Sequence, residues 1–227
     1  MKNTPTAPVS TPSDPSAPLA GFQYSRSRFE EVVDLALAEA KRLGAADAAA
    51  EVSEGAGLNV SVRKGELENV ERNRDKSLGV TVYLGRRRGN ASTSDFSPGA
   101  VRQTVQAAYD IARFTAEDPV AGLPDAQDIA DSYPDLDLFH PWAIGAEEAV
   151  QIALRCEAAA FATSKKITNS EGAGVSAQQS HFFTAHMREG ARSGAGIFSG
   201  GYASSRHSLS VAPIAGKGAN MQRDYWY

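Results

Sequence analysis

Leu78-Gly79-Val80-Thr81-Val82-Tyr83-Leu84, running into Gly85-Arg86-Arg87-Arg88-Gly89, is the stretch that decides the fold. Leu78, Val80, Val82 and Leu84 alternate with Gly79, Thr81 and Tyr83. A period of two puts one set of side chains on a core face and the other on the opposite face of a strand. The glycine-bracketed turn then sends the chain back through Ala91 to Asp95. So short a connection joins antiparallel neighbours, because a parallel pair needs a crossover of roughly a dozen residues or more. Upstream, Leu58, Val60 and Val62 alternate with Asn59, Ser61 and Arg63 and predict another half-buried strand. Between the two lies a polar segment, Glu66, Glu68, Asn69, Glu71, Arg72 and Asn73, which carries only Leu67 and Val70 as apolar residues.

Helical periods flank these strands. Phe29, Val32, Val33, Leu37, Ala40 and Leu43 recur at helical spacing, with Ser27 and Glu30 set as a capping box and Gly44 placed to end the helix. Ser97-Pro98 predicts a second helix start, with an apolar face from Val101 to about Thr115. A third helix is expected from about Ala146, its buried face formed by Ala149, Ile152, Ala153, Cys156, Ala159 and Ala160. Residues 117–145 carry four prolines and read as an ordered, irregular connection, because Leu123, Leu136, Leu138, Phe139 and Trp142 are costly to leave in water. Beyond Ile167 short strands are expected over 167–170, 175–186 and 201–212. The fold class is therefore α+β, a largely antiparallel sheet with about three helices.

The first 21 residues hold five prolines and almost no large apolar side chains, which predicts a disordered Pro/Ser/Thr-rich tail over 1–21 ahead of one domain over 22–227. A net charge of −4 argues against binding nucleic acid through its phosphates. No run approaches the roughly 20 apolar residues of a membrane-spanning helix. One cysteine among 227 residues excludes an internal disulfide and fits a reducing cytoplasm.

Few residues carry recognisable chemistry. His140, His181, His186 and His207 show no metal-ligand spacing; His181 and His186 are five apart in an alternating segment and point to opposite faces. Cys156 lies on an apolar helix face, the setting of a small core hydrophobe rather than of a nucleophile. Gly190 to Gly196 is glycine-rich but lacks the lysine and hydroxyl of a phosphate loop. Two polar clusters beside strands remain as candidate peptide or partner contacts: Glu68, Asn69 and Glu71, and Arg206, His207 and Ser208. A plain solvated strand face is the alternative for both.

An ordered series of blocks carries more. It includes Gly65-Glu66-Leu67-Glu68-Asn69-Val70-Glu71, Leu78 to Tyr83, Ala91-Ser92-Thr93-Ser94-Asp95 and Pro134-Asp135-Leu136-Asp137-Leu138-Phe139-His140-Pro141. It continues with Ile167-Thr168-Asn169-Ser170-Glu171-Gly172, Tyr202 to Ser210 and Met221-Gln222-Arg223-Asp224-Tyr225. From about Phe29 to Tyr227 the series resembles the N-terminal half of the TldD/PmbA (TldE) family, on the PmbA/TldE side. The resemblance implies a cytoplasmic subunit of a heteromeric metallopeptidase acting on unstructured peptides with a TldD-like, metal-bearing partner, without direct nucleic-acid or membrane contact. The family is linked to maturation of a peptide antibiotic, to antitoxin degradation and to modulation of DNA gyrase. Zinc is implied in the TldD-like partner, held by an H-E-x-x-x-H helix, so no cofactor, metal ligand or catalytic residue is expected in this chain. The family continues past the point matching Tyr227, which makes a fragment or a shortened gene product the expectation. His186 to Arg192 departs from the family's usual turn. A stand-alone peptide- or protein-binding domain without peptidase activity is the competing reading.

Overall fold

The computed structural model describes residues 14–130, 132–188 and 198–227. Helix α1 spans Arg26–Arg42 and begins two residues earlier than the expected capping box. Ser25, extended at φ −83°, accepts the Arg28 N–H at 3.2 Å, while Ser27 falls within the first turn. The reason lies upstream: Glu54 takes the N–H groups of Gln23 and Tyr24, which fixes the chain where the helix must start. Gly44 ends the helix at φ +88° as expected, a left-handed conformation that glycine adopts without a Cβ clash.

Two strands follow, β1 (Asp47–Arg63) and β2 (Glu66–Leu84). The expected polar segment is thus the first half of a 19-residue strand, and residues 66–75 are exposed on both faces. Alternation fails there because neither face meets a core, so pattern alone hides the strand. Lys64 (φ +53°) and Gly65 (φ +79°) make the two-residue connection of a hairpin. Strand β3 (Arg87–Thr93) pairs antiparallel with β2, Leu84 opposite Arg87 and Leu78 opposite Thr93. The turn is narrower than the glycine brackets suggest: only Gly85 and Arg86 form it, and Arg87 and Arg88 belong to β3.

Helix α2 (Pro98–Phe114) is capped by Ser97, and helix α3 spans Ala146–Thr163. The two strands expected at 167–170 and 175–186 are one, β4 (Ile167–Arg188). Gly172, at φ +117°, lies against the Val62 carbonyl and lets the ladder continue where a side chain would block it. The chain closes with β5 (Phe198–Gly200), β6 (Ala203–Ala215) and β7 (Gln222–Arg223). Sheet order is β3-β2-β1-β4-β6-β7, with β5 beside β4. Gly172 approaches Val62, Gly174 approaches Val60 and Thr184 bonds to Ala50, so β4 runs antiparallel to β1. The α+β class with three helices and an antiparallel sheet is as expected. Of the tail expected over 1–21, residues 1–13 lie outside the described residues; residues 14–21 form turns, and the Pro15 carbonyl accepts the Ser27 N–H. The expected glycine-rich loop at 190–196 also lies outside the described residues.

The chain divides into two compact units. Unit 1 takes residues 1–54, 75–137 and 180–203. In its core, Phe29, Val33 and Ala36 of α1 and Val101 and Val105 of α2 pack on Val52, Val80, Val82 and Phe183 of the strands. Each buried valine or phenylalanine contributes about 1.5–3 kcal/mol. Unit 2 takes 55–74, 138–179 and 204–227. Its core is smaller: Leu58, Val60 and Val62 of β1 and Ala173 and Val175 of β4 meet Ala149 and Ala153 of α3. The buried face of α3 differs from expectation. Ala149, Ala153 and Glu157 are buried, Ile152 and Cys156 only half so, and Ala159 is exposed. In the connection before α3, Leu136, Leu138 and Trp142 also stay 58%, 41% and 38% exposed, against expectation. Main-chain bonds hold that segment instead, the Leu138 carbonyl accepting the Ser205 N–H at 2.9 Å.

Candidate functional site

Both predicted clusters sit in unit 2, and all six residues are exposed. Glu68, Asn69 and Glu71 lie on the outer half of β2, where the Ser61 hydroxyl donates to Glu68 Oε2 at 3.3 Å. Arg206, His207 and Ser208 lie on β6. Strands β1 and β4 separate the two, three strand spacings or about 14 Å, so the structure does not bring them into one site.

The β6 cluster has the more developed surroundings. The His207 ring packs edge-on against Trp142, with centroids 5.4 Å apart and planes at 61°. Trp142 is placed by the segment that runs beside β6, where the His140 N–H also donates to Ser205 Oγ at 2.8 Å. Strand β7 pairs with Ile214 and Ala215, the Asp224 N–H reaches the Pro213 carbonyl, and Trp226 bridges to Val211. Among the described residues, no strand covers the outer main-chain edge of residues 206–210. That edge, flanked by a guanidinium and an aromatic pair, suits an extended peptide that adds as a strand through main-chain hydrogen bonds.

Sequence reasoning missed two buried carboxylates. Glu54, 1% exposed on β1, accepts from the Gln23 N–H at 2.9 Å, from the Tyr24 N–H at 3.1 Å and from His181 Nε2 at 3.3 Å. His181 lies between the rings of Phe22 and Phe29, at 4.1 and 4.3 Å. In unit 2, Glu157 of α3 accepts the N–H groups of Lys64 and Gly65 at 3.0 and 2.8 Å. The available signal was phase. Glu54 continues the inward series Ala48, Ala50, Val52, and Glu157 lies four residues beyond Ala153 and eight beyond Ala149.

Burial disfavours the charged form of His181, and Glu54 offsets this only in part. Burial also pushes His186 down, with Arg188 adding to the effect. Unfolded, both take up protons near pH 6.5, whereas the folded chain binds them only at lower pH. The stability from these neutral rings is therefore whole above about pH 6.5 and is lost as pH falls below it. We expect the urea midpoint to drop between about pH 7.5 and 5, and to drop less in His181→Gln. A flat midpoint across that range would contradict this assignment.

The Cys156 thiol is half-buried on α3, and burial together with Glu157 raises its pKa, opposite to what a nucleophile needs. Among the described residues, no group of three His, Cys, Asp or Glu side chains could hold a metal ion. No described helix is long and apolar enough to cross a membrane.

Two family profiles match in order: PmbA/TldA metallopeptidase domain 1 over residues 48–112 and the PmbA/TldA metallopeptidase central domain over 139–227. The chain belongs to the PmbA/TldD family. The PmbA metalloprotease of Escherichia coli O157:H7 is 45% identical over 217 residues, covering 92% of this chain and 44% of that protein. A PmbA homologue from Haemophilus influenzae is 37% identical, covering 95% and 46%. This member thus spans less than half the length of these PmbA relatives. Solved structures share its fold: a Bacteroides thetaiotaomicron protein described as a modulator of DNA gyrase (TM-score 0.69, 17% identity, 87% of this chain and 44% of that one) and TldE from Thermococcus kodakarensis (0.63, 12%, 87% and 42%). The metal implied by the PmbA/TldD name does not fit the described residues. The two buried carboxylates are taken up by backbone N–H groups, and His181 by Glu54.

Proposed function

We propose that this chain is the PmbA/TldE-type portion of a cytoplasmic TldD/TldE-type metallopeptidase that degrades or matures unstructured peptides. It shapes the peptide path and the subunit interface, and a TldD-like partner holds the zinc. The observation that carries this reading is the ordered match to both family domains, 48–112 and 139–227. In this reading the chemistry is assigned to the partner subunit. The short outer edge of β6 at 206–210, between the Ser205–Leu138 and Val211–Trp226 bonds, is assigned to the peptide: main-chain pairing there selects extended chains with little demand on their sequence.

The test is cleavage of an unstructured peptide by a TldD-like subunit, with this chain in wild-type form or as the double variant Arg206→Ala/His207→Ala. Loss of both flanking side chains is expected to lower kcat/KM about tenfold, worth about 1.4 kcal/mol, without changing the unfolding midpoint. Equal cleavage with wild type, with the variant and with no added chain would refute the proposal.

A further inference from the structure

The outer half of β2 carries a charge pattern that peptide binding at β6 does not use. Residues 66–75 are exposed on both faces, and β3 pairs only with Leu78–Leu84. Residues 66–77 therefore have β1 on one side and, among the described residues, no strand on the other. Glu66, Glu68, Val70, Arg72 and Arg74 alternate onto one face of this edge. Read about Val70, that face is its own complement: two acids precede the valine and two bases follow it.

From this we propose that the β2 edge pairs with the same edge of a second copy of this chain, antiparallel and about a two-fold axis at Val70. The register sets Glu68 opposite the partner's Arg72, Arg72 opposite the partner's Glu68, and Val70 opposite the partner's Val70. Glu66 then falls opposite the partner's Arg74, and on the other face Asn69 meets the partner's Glu71, an amide donating to a carboxylate. A two-fold interface must be self-complementary in this way, and opposite charges directly across an antiparallel pair stabilise it where like charges oppose it. Neighbouring registers do worse: centring on Asn69 keeps only the Glu66–Arg72 pair and brings Lys64 opposite Arg74. Centring on Glu71 sets that carboxylate against itself, and slipping by a single residue opposes Glu66 to Asp75 or Glu68 to Glu71. Edge strands are commonly protected by charges that repel any newcomer; here the two signs are ordered so that one newcomer, an identical edge, is accepted. The Ser61 hydroxyl donates to Glu68 through Oε2, and the guanidinium of Arg72 would approach through Oε1. A ten-residue edge offers less than the roughly 1,600 Å² of a standard interface, so the dimer is weak and salt-sensitive. The proposal does not rest on the peptidase reading.

Sedimentation equilibrium of the 227-residue chain tests it, at about 0.1 mM and low salt. Wild type is expected to sediment as a dimer that dissociates when salt is raised. Glu68→Arg and Arg72→Glu, each alone, place like charges across the axis twice and are expected to be monomeric. An equimolar mixture of the two single variants restores opposite charges and is expected to dimerise, as is the double variant Glu68→Arg/Arg72→Glu. That rescue separates lost pairing from lost folding. A monomeric wild type, single variants that dimerise like wild type, or a mixture that stays monomeric would each overturn the proposal. So would pairing of wild type with a TldD-like protein alone and never with itself.

Discussion

Glu157→Ala is expected to lower the unfolding free energy by about 3–5 kcal/mol, because each of its two hydrogen bonds from backbone N–H groups to a carboxylate is worth about 1.5–3 kcal/mol. Glu157 is 2% exposed, and its two oxygens take the N–H groups of Lys64 and Gly65. Those residues form the tight turn between β1 and β2, and Lys64 holds a left-handed φ of +53° that costs a non-glycine residue about 1 kcal/mol or more. The carboxylate therefore does two jobs: it satisfies two donors next to a small alanine-lined core, and it holds the strained residue in place. Alanine leaves both donors without a partner, at about 1–3 kcal/mol each. Glutamine keeps one acceptor and is expected to lose about half as much. Urea unfolding measures the loss, and hydrogen exchange at the Lys64 and Gly65 amides locates it. A loss below about 1 kcal/mol, the net worth of one ordinary hydrogen bond, would show that the hairpin does not depend on Glu157.

Gly89→Ala is the second large effect, about 3 kcal/mol and at the upper end for overpacking a core. A Cβ at Gly89 on β3 would fall onto the Ala108 carbonyl oxygen of α2. That atom is backbone, so no side chain can swing aside, and α2 must move off the strand. Gly79 on the adjacent β2 has nothing within 4 Å of its would-be Cβ. Gly79→Ala is therefore the control, expected to stay within about 0.5 kcal/mol of wild type. If the two variants melt together, close packing of α2 on β3 is not what fixes Gly89.

The parts of the fold that were legible in the sequence are those where a single face meets a core. Leu78 to Leu84 alternate because one face packs under α1 and α2, and α2 itself reads cleanly from Ser97-Pro98 to its end at Phe114. Legibility fails where burial and polarity part company. Residues 66–75 form a strand with no core face, so period two vanishes and only the partner strand reveals it. Glu54 and Glu157 are acids in inward phase; composition reads them as breaks in an apolar stripe, whereas each serves a distant turn, 31 and 93 residues away in sequence for its first hydrogen bond. The start of α1 moved for the same reason, since Ser25 becomes the cap only once Glu54 has fixed Gln23 and Tyr24. The candidate contacts were found as polar runs, but their division between two separate strand edges required the sheet order. His207 acquires meaning only beside Trp142, a residue of the irregular connection that the sequence marks only as costly to leave in water.

The proposal that this PmbA/TldD family member works with a separate metal-bearing subunit can be tested directly. Its most direct test is to mix the chain with a TldD-like protein, separate the products by size, and measure zinc across every fraction. The account predicts a complex of both proteins, with zinc tracking the TldD-like subunit and the isolated chain carrying none. Stoichiometric zinc on the isolated chain, or two proteins that never co-migrate, would contradict it.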